Sequence, residues 1–70
     1  MANKTVDDIF PVGTNVFFHS GNYLGHYGKV KHVDPKSKDP RAIYGFLITI
    51  EFEDGKIGYV EKTEHLRKIK

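Results

Sequence analysis

The sequence predicts an all-β domain in which five short strands close into one small barrel. Three observations lead there. Seventy residues bound the chain to a single domain. Short alternating apolar runs recur along it, separated by turn signals. Asp54-Gly55 is a strong hairpin signal between two of those runs. With only five strands, one closed barrel is more economical than a sandwich, and closure removes exposed strand edges.

The elements follow in order. Residues 1–8 are polar and lack periodicity, which predicts a flexible start before a barrel spanning 9–70. Ile9, Phe10 and Pro11 form an apolar entry, and Pro11 disfavours helix. Thr14–Ser20 reads as the first strand, with Val16 and Phe18 on one face and Asn15, Phe17 and His19 on the other. Ser20-Gly21-Asn22 marks a turn, and a glycine-rich stretch from Tyr23 to Gly28 follows. The main reading of Gly25 and Gly28 is that they allow the tight bend after Tyr23.

The second strand is predicted at Lys29–Val33. Val30 and Val33 break strict alternation, which implies a bulge or a strand end near His32. Asp34–Ala42 is a long loop, because Pro35 and Pro40 exclude a central strand. Ile43–Glu53 is predicted as the longest strand, with Tyr44, Phe46, Ile48, Ile50 and Phe52 sharing one face. A type I′ turn at Asp54-Gly55 leads into Lys56–Val60. Glu61–His65 is too short for an α-helix and predicts one 3₁₀ turn before a closing strand at Leu66–Ile69.

Composition excludes several functions. There is no cysteine, hence no disulfide, thiolate metal site or cysteine nucleophile. That composition is compatible with a reducing cytoplasm. A domain of this length hides only about 60 % of its unfolded surface, so its core is small. No run approaches the ~20 apolar residues of a membrane-spanning helix, and no membrane partner is expected. His26 and His32 do not have a recognised metal spacing, so neither metal nor cofactor is expected. No Ser-His-Asp arrangement with a nucleophile elbow is visible. A non-catalytic, monomeric module is therefore expected.

The binding chemistry lies in aromatics and cations. Aromatic residues make up 13 % of the chain, too many for so small a core to hide entirely. Phe17, Tyr23, Tyr27 and Tyr44 are candidates for a surface platform. Phe46 and Phe52 read as core. Lys29, Lys31, Lys36, Lys38 and Arg41 fall within thirteen residues. Cations beside aromatics are the usual footprint of single-strand recognition. The candidate site is thus Phe17, Tyr23 and Tyr27 for stacking, with Lys29, Lys31, Lys36, Lys38 and Arg41 for phosphates. A second basic cluster, Lys62, Arg67, Lys68 and Lys70, carries less weight because Glu61 and Glu64 lie among it.

The run from Val12 to Val30 resembles the KOW motif of SH3-like barrels. The matching positions are Gly13, Val16, Phe18, Ser20, Gly21, Tyr23, Gly25, Gly28 and Val30. The opening Phe10-Pro11-Val12-Gly13-Thr14, followed by Tyr27-Gly28 and Val30, is also similar to the SH3-like domain of 5′→3′ exoribonucleases, and Tudor-like domains share the barrel. The resemblance implies a five-stranded SH3-like barrel and RNA or other nucleic acid as partner. Net charge is only +2, from eleven cations and nine carboxylates. That near balance, with the acidic Glu51–Asp54 hairpin, keeps a protein–protein interaction module as the alternative, its exposed aromatics taking a peptide or modified side chain.

Overall fold

The computed structural model describes residues 9–69. The flexible start expected at 1–8 lies outside the described residues, as does Lys70. Five strands follow one another: β1 (Asn15–Phe18), β2 (Tyr27–Asp34), β3 (Leu47–Phe52), β4 (Ile57–Val60) and β5 (Leu66–Lys68). They form one antiparallel sheet in the order β4-β3-β2-β1-β5. The sequence predicts full closure; the observed pairing is linear, with β4 and β5 at its ends.

Alternation along each strand builds the core. Val16 and Phe18 come from β1, Val30 from β2, Ile48, Ile50 and Phe52 from β3, Val60 from β4 and Leu66 from β5, with Phe10 of the entry segment closing the cluster. Val16, Val30, Ile48 and Ile50 are wholly removed from solvent. A single sheet with no second layer buries side chains this completely only by curling around its own inner face. Each such side chain contributes about 1.5–3 kcal/mol relative to leaving it exposed.

Several boundaries differ from the sequence reading. β1 is shorter than Thr14–Ser20, and β2 begins two residues earlier than expected. The pairing of β2 with β3 shifts between Val30 and His32. That bulge accounts for the broken alternation at Val33. β3 starts at Leu47, not Ile43. Two consecutive turns occupy the intervening residues: the Ala42 N–H donates to the Asp39 carbonyl at 2.8 Å, and the Gly45 N–H donates to the Ala42 carbonyl at 2.9 Å. Gly45 adopts φ +85°, which a strand cannot use. Ile43 and Tyr44 are therefore exposed, and the inward row begins at Phe46, which packs against the core while half-buried.

The β3–β4 hairpin is tight but is not a type I′ turn. Type I′ needs positive φ at both central residues. Gly55 has φ +86°, whereas no described non-glycine residue has a positive φ, so Asp54 does not fit. The Gly55 N–H donates to the Phe52 carbonyl at 2.9 Å and the Phe52 N–H to the Lys56 carbonyl at 2.8 Å. This is the three-residue loop with a left-handed glycine at its end. The 3₁₀ turn expected at Glu61–His65 is absent. One hydrogen-bonded turn replaces it, with the Leu66 N–H donating to the Thr63 carbonyl at 3.0 Å.

Candidate nucleic-acid interface

Because Val16 and Phe18 point inward, Asn15 and Phe17 point outward. Pairing then decides their neighbours. Phe17 lies opposite Tyr27 of β2 and opposite Arg67 of β5, while Asn15 lies opposite Lys29. The Phe17 and Tyr27 rings sit 4.8 Å apart at 49°, a favourable tilted pair. Tyr27 is half exposed and Phe17 partly so. A surface hollow of about 370 Å³ runs beside the pair, walled by both rings, Arg67, Lys68 and Ile69. A second hollow of about 260 Å³ lies on the other side of Tyr27, between Asn15, Lys29, Glu51 and Glu53.

Gly28 sits between Tyr27 and Lys29 on the inward side. It belongs to β2 rather than to the bend after Tyr23. A Cβ there would overlap the Ile50 side chain and press on the Glu51 carbonyl at 3.2 Å. Its absence lets β2 lie close on the core.

The structure does not bring all eight candidate residues together. Phe17, Tyr27 and Lys29 share one outer face. Tyr23 does not: its ring packs against Phe18 at 5.3 Å and Phe52 at 4.9 Å, on the rim of the core. Lys31 is in the bulge and pairs with Glu51 at 3.6 Å. Lys36, Lys38 and Arg41 lie in the loop beyond Asp34, at the far end of β2. Seven strand steps separate Tyr27 from Asp34, roughly 20 Å. Arg41 is held by two hydrogen bonds to the Asp39 carboxylate, at 2.9 and 2.7 Å, and lies 4.0 Å above the Tyr59 ring. This pair holds the Asp39 carboxyl down at about 2, against an ordinary 3.8, chiefly through the side-chain hydrogen bond from Arg41.

Arg67 joins the aromatic pair instead, whereas Lys68 lies opposite the inward-pointing Val16 and holds its ammonium 5.6 Å from the centre of the Phe10 ring. The sequence signal for Arg67 is the second basic cluster, and what gives it weight is the β1–β5 pairing. Among the described residues neither Lys29 nor Arg67 has an acidic group within 4 Å.

Tyr23 contributes to a separate, more apolar groove of about 230 Å³, walled by Tyr23, His26, Phe52, Asp54, Lys56 and Ile57. His65 accepts or donates through Nδ1 to the Ser20 hydroxyl at 2.7 Å. Among the described residues no three of the His, Asp and Glu side chains converge as a metal ion requires. Among the described residues no helix is long and apolar enough to cross a membrane. Compared with known proteins, the chain matches no family model, and neither the curated proteins nor the solved structures contain a significant match to it.

Proposed function

We propose that this chain is a non-catalytic module of the SH3-like, KOW or Tudor barrel type that binds single-stranded nucleic acid weakly, RNA foremost, in the cytoplasm. The observation that carries this reading is the outward-facing Phe17–Tyr27 pair bordered by Arg67 and Lys29. Each base has a π-face, and stacking one on an aromatic ring contributes about 1–3 kcal/mol. Arg67 and Lys29 meet phosphates on either side of the rings. About two phosphate contacts give a log–log salt slope of about −1.4 for a single strand.

The test is fluorescence anisotropy with a short mixed-sequence RNA. Raising salt from 50 to 200 mM is expected to weaken binding about sevenfold, following that slope. The double change Phe17→Ala, Tyr27→Ala is expected to weaken it by more than tenfold. Binding that ignores both salt and the two rings would defeat the reading.

The Tyr23 groove favours a second reading as a protein-interaction module. Tyr23, Phe52 and Ile57 offer an apolar wall, and Asp54 lies at its edge. A peptide side chain with an apolar stem and a cationic tip suits that composition. A peptide that shifts the amides of Tyr23, Phe52 and Ile57 and leaves Phe17 and Tyr27 still would establish it.

A further inference from the structure

The hollow between Asn15, Lys29, Glu51 and Glu53 has a chemistry that stacking alone does not use. One wall is the Tyr27 ring, and the others supply an amide, an ammonium and two carboxylates. Fully cationic borders suit phosphate. Mixed donors and acceptors beside a ring suit the edge of a stacked base. The two carboxylates are not equivalent. Glu51 is engaged by Lys31 at 3.6 Å. Glu53 has only His26, whose Nδ1 is 3.7 Å away, and both side chains are 54 % exposed. That separation is longer than a hydrogen bond. Glu53 therefore keeps its acceptor capacity next to the platform.

Resting on the single-strand reading above, we infer that this hollow selects guanine. Glu53 accepts from the N1–H and the N2 amino group, while Lys29 or the Asn15 amide donates to O6. A carboxylate is acceptor-only and takes two parallel donors. Guanine alone among the four bases offers two adjacent donors on its Watson–Crick edge. Adenine and cytosine each offer one amino group beside a ring acceptor, and uracil offers one imino group between two carbonyls. Those acceptors would face carboxylate lone pairs. The edge is free only in an unpaired strand, so base selection and preference for single strands have the same cause. Glu53 also repels phosphates, which lowers affinity for every sequence while raising discrimination.

The experiment measures anisotropy of four labelled pentamers, all-uridine and its variants with a central guanine, adenine or cytosine, at 50 mM salt. Wild-type protein is expected to bind the guanine pentamer about tenfold tighter than the others, as one bidentate contact allows. Glu53→Ala is expected to bring it within about twofold of them and to leave all-uridine binding equal or stronger. Glu53 is exposed, so an unchanged thermal melt checks that the fold survives. Equal wild-type binding to all four would overturn the guanine assignment and leave single-strand binding standing. A preference that survives Glu53→Ala would remove Glu53 from the recognition. Wild-type binding to none would defeat the nucleic-acid reading itself, and the inference with it.

Discussion

The face built from β1, β2 and β5 and the loop between β2 and β3 are both basic, yet they use their cations differently. In the loop, Arg41 grips Asp39 and covers Tyr59. Nearby, Lys62 lies 5.5 Å from the centre of the Tyr44 ring and 3.3 Å from Glu64. Hydrogen bonding to Tyr44, then to Glu64, raises the Lys62 pKa. Arg41 and Lys62 are thus turned inward on the chain, while Lys36 and Lys38 have neither an acid within 4 Å nor a ring beneath them among the described residues. On the face, Lys29 and Arg67 flank two outward-facing rings, and among the described residues neither is in contact with an acid within 4 Å. A count of cations along a sequence does not separate these cases. The partner of each cation does.

The comparison can be broken most severely at a glycine. Gly28→Ala pushes a methyl into Ile50 beneath the aromatic pair, and overpacking of this kind costs about 2–3 kcal/mol. Gly45→Ala meets no atom within 4 Å and costs only the strain of φ +85°, about 1 kcal/mol. Thermal melts are expected to fall by about 10–20 °C for Gly28→Ala and by about 4–8 °C for Gly45→Ala. Equal losses would mean that β2 is no more closely packed than the loop.

Charge removal sharpens the contrast at smaller scale. Arg67→Ala is expected to weaken RNA binding about threefold and to reduce the salt slope by about 0.7, one phosphate contact. The triple change Lys36→Ala, Lys38→Ala, Arg41→Ala removes more charge but is expected to change affinity less than twofold. The reverse order in a salt-dependent anisotropy titration would return the site to the loop.

The smallest effect is a titration. Asp39 has a depressed pKa of about 2 against 3.8. A depressed carboxyl stabilises the fold above its unfolded pKa and loses that contribution as pH falls through the folded one. The Asp39–Arg41 contact thus holds above about pH 4 and is lost toward pH 2. NMR titration of the Asp39 carboxyl should give a midpoint near 2, returning toward 3.8 in Arg41→Ala. RNA-face resonances should not follow it.

Much of the fold was legible in the chain. Alternation gave the inward rows of β1 and β3, and the uneven spacing of Val30 and Val33 foretold the bulge. What misled was local. Ile43-Tyr44-Gly45-Phe46 has strand-like composition, but Gly45 in the left-handed region and two turn hydrogen bonds win over it. Asp54-Gly55 named the hairpin without naming its turn. The site was half legible. Phe17, Tyr27 and Lys29 stand out in the sequence. Their grouping with Arg67 depends on which strand pairs with β1, and no local pattern carries that. Proximity in sequence groups Tyr23 with Tyr27, whereas Phe18 and Phe52 draw its ring to the core rim.

The pairing of Phe17 with Arg67 joins positions fifty residues apart. Closing a loop of that length costs about 2 kcal/mol more than closing a four-residue turn. The β1–β5 pairing is therefore the costliest of the sheet's pairings in chain entropy, and it is the one that sets Arg67 beside the rings. A chain still emerging from synthesis carries Phe17 and Tyr27 before it carries Arg67 beside them. A fraying β5 is expected to weaken binding by the few-fold that Arg67 contributes, with both rings and Lys29 still in place. The full cationic border of the rings is in this way tied to the pairing that spans the most chain.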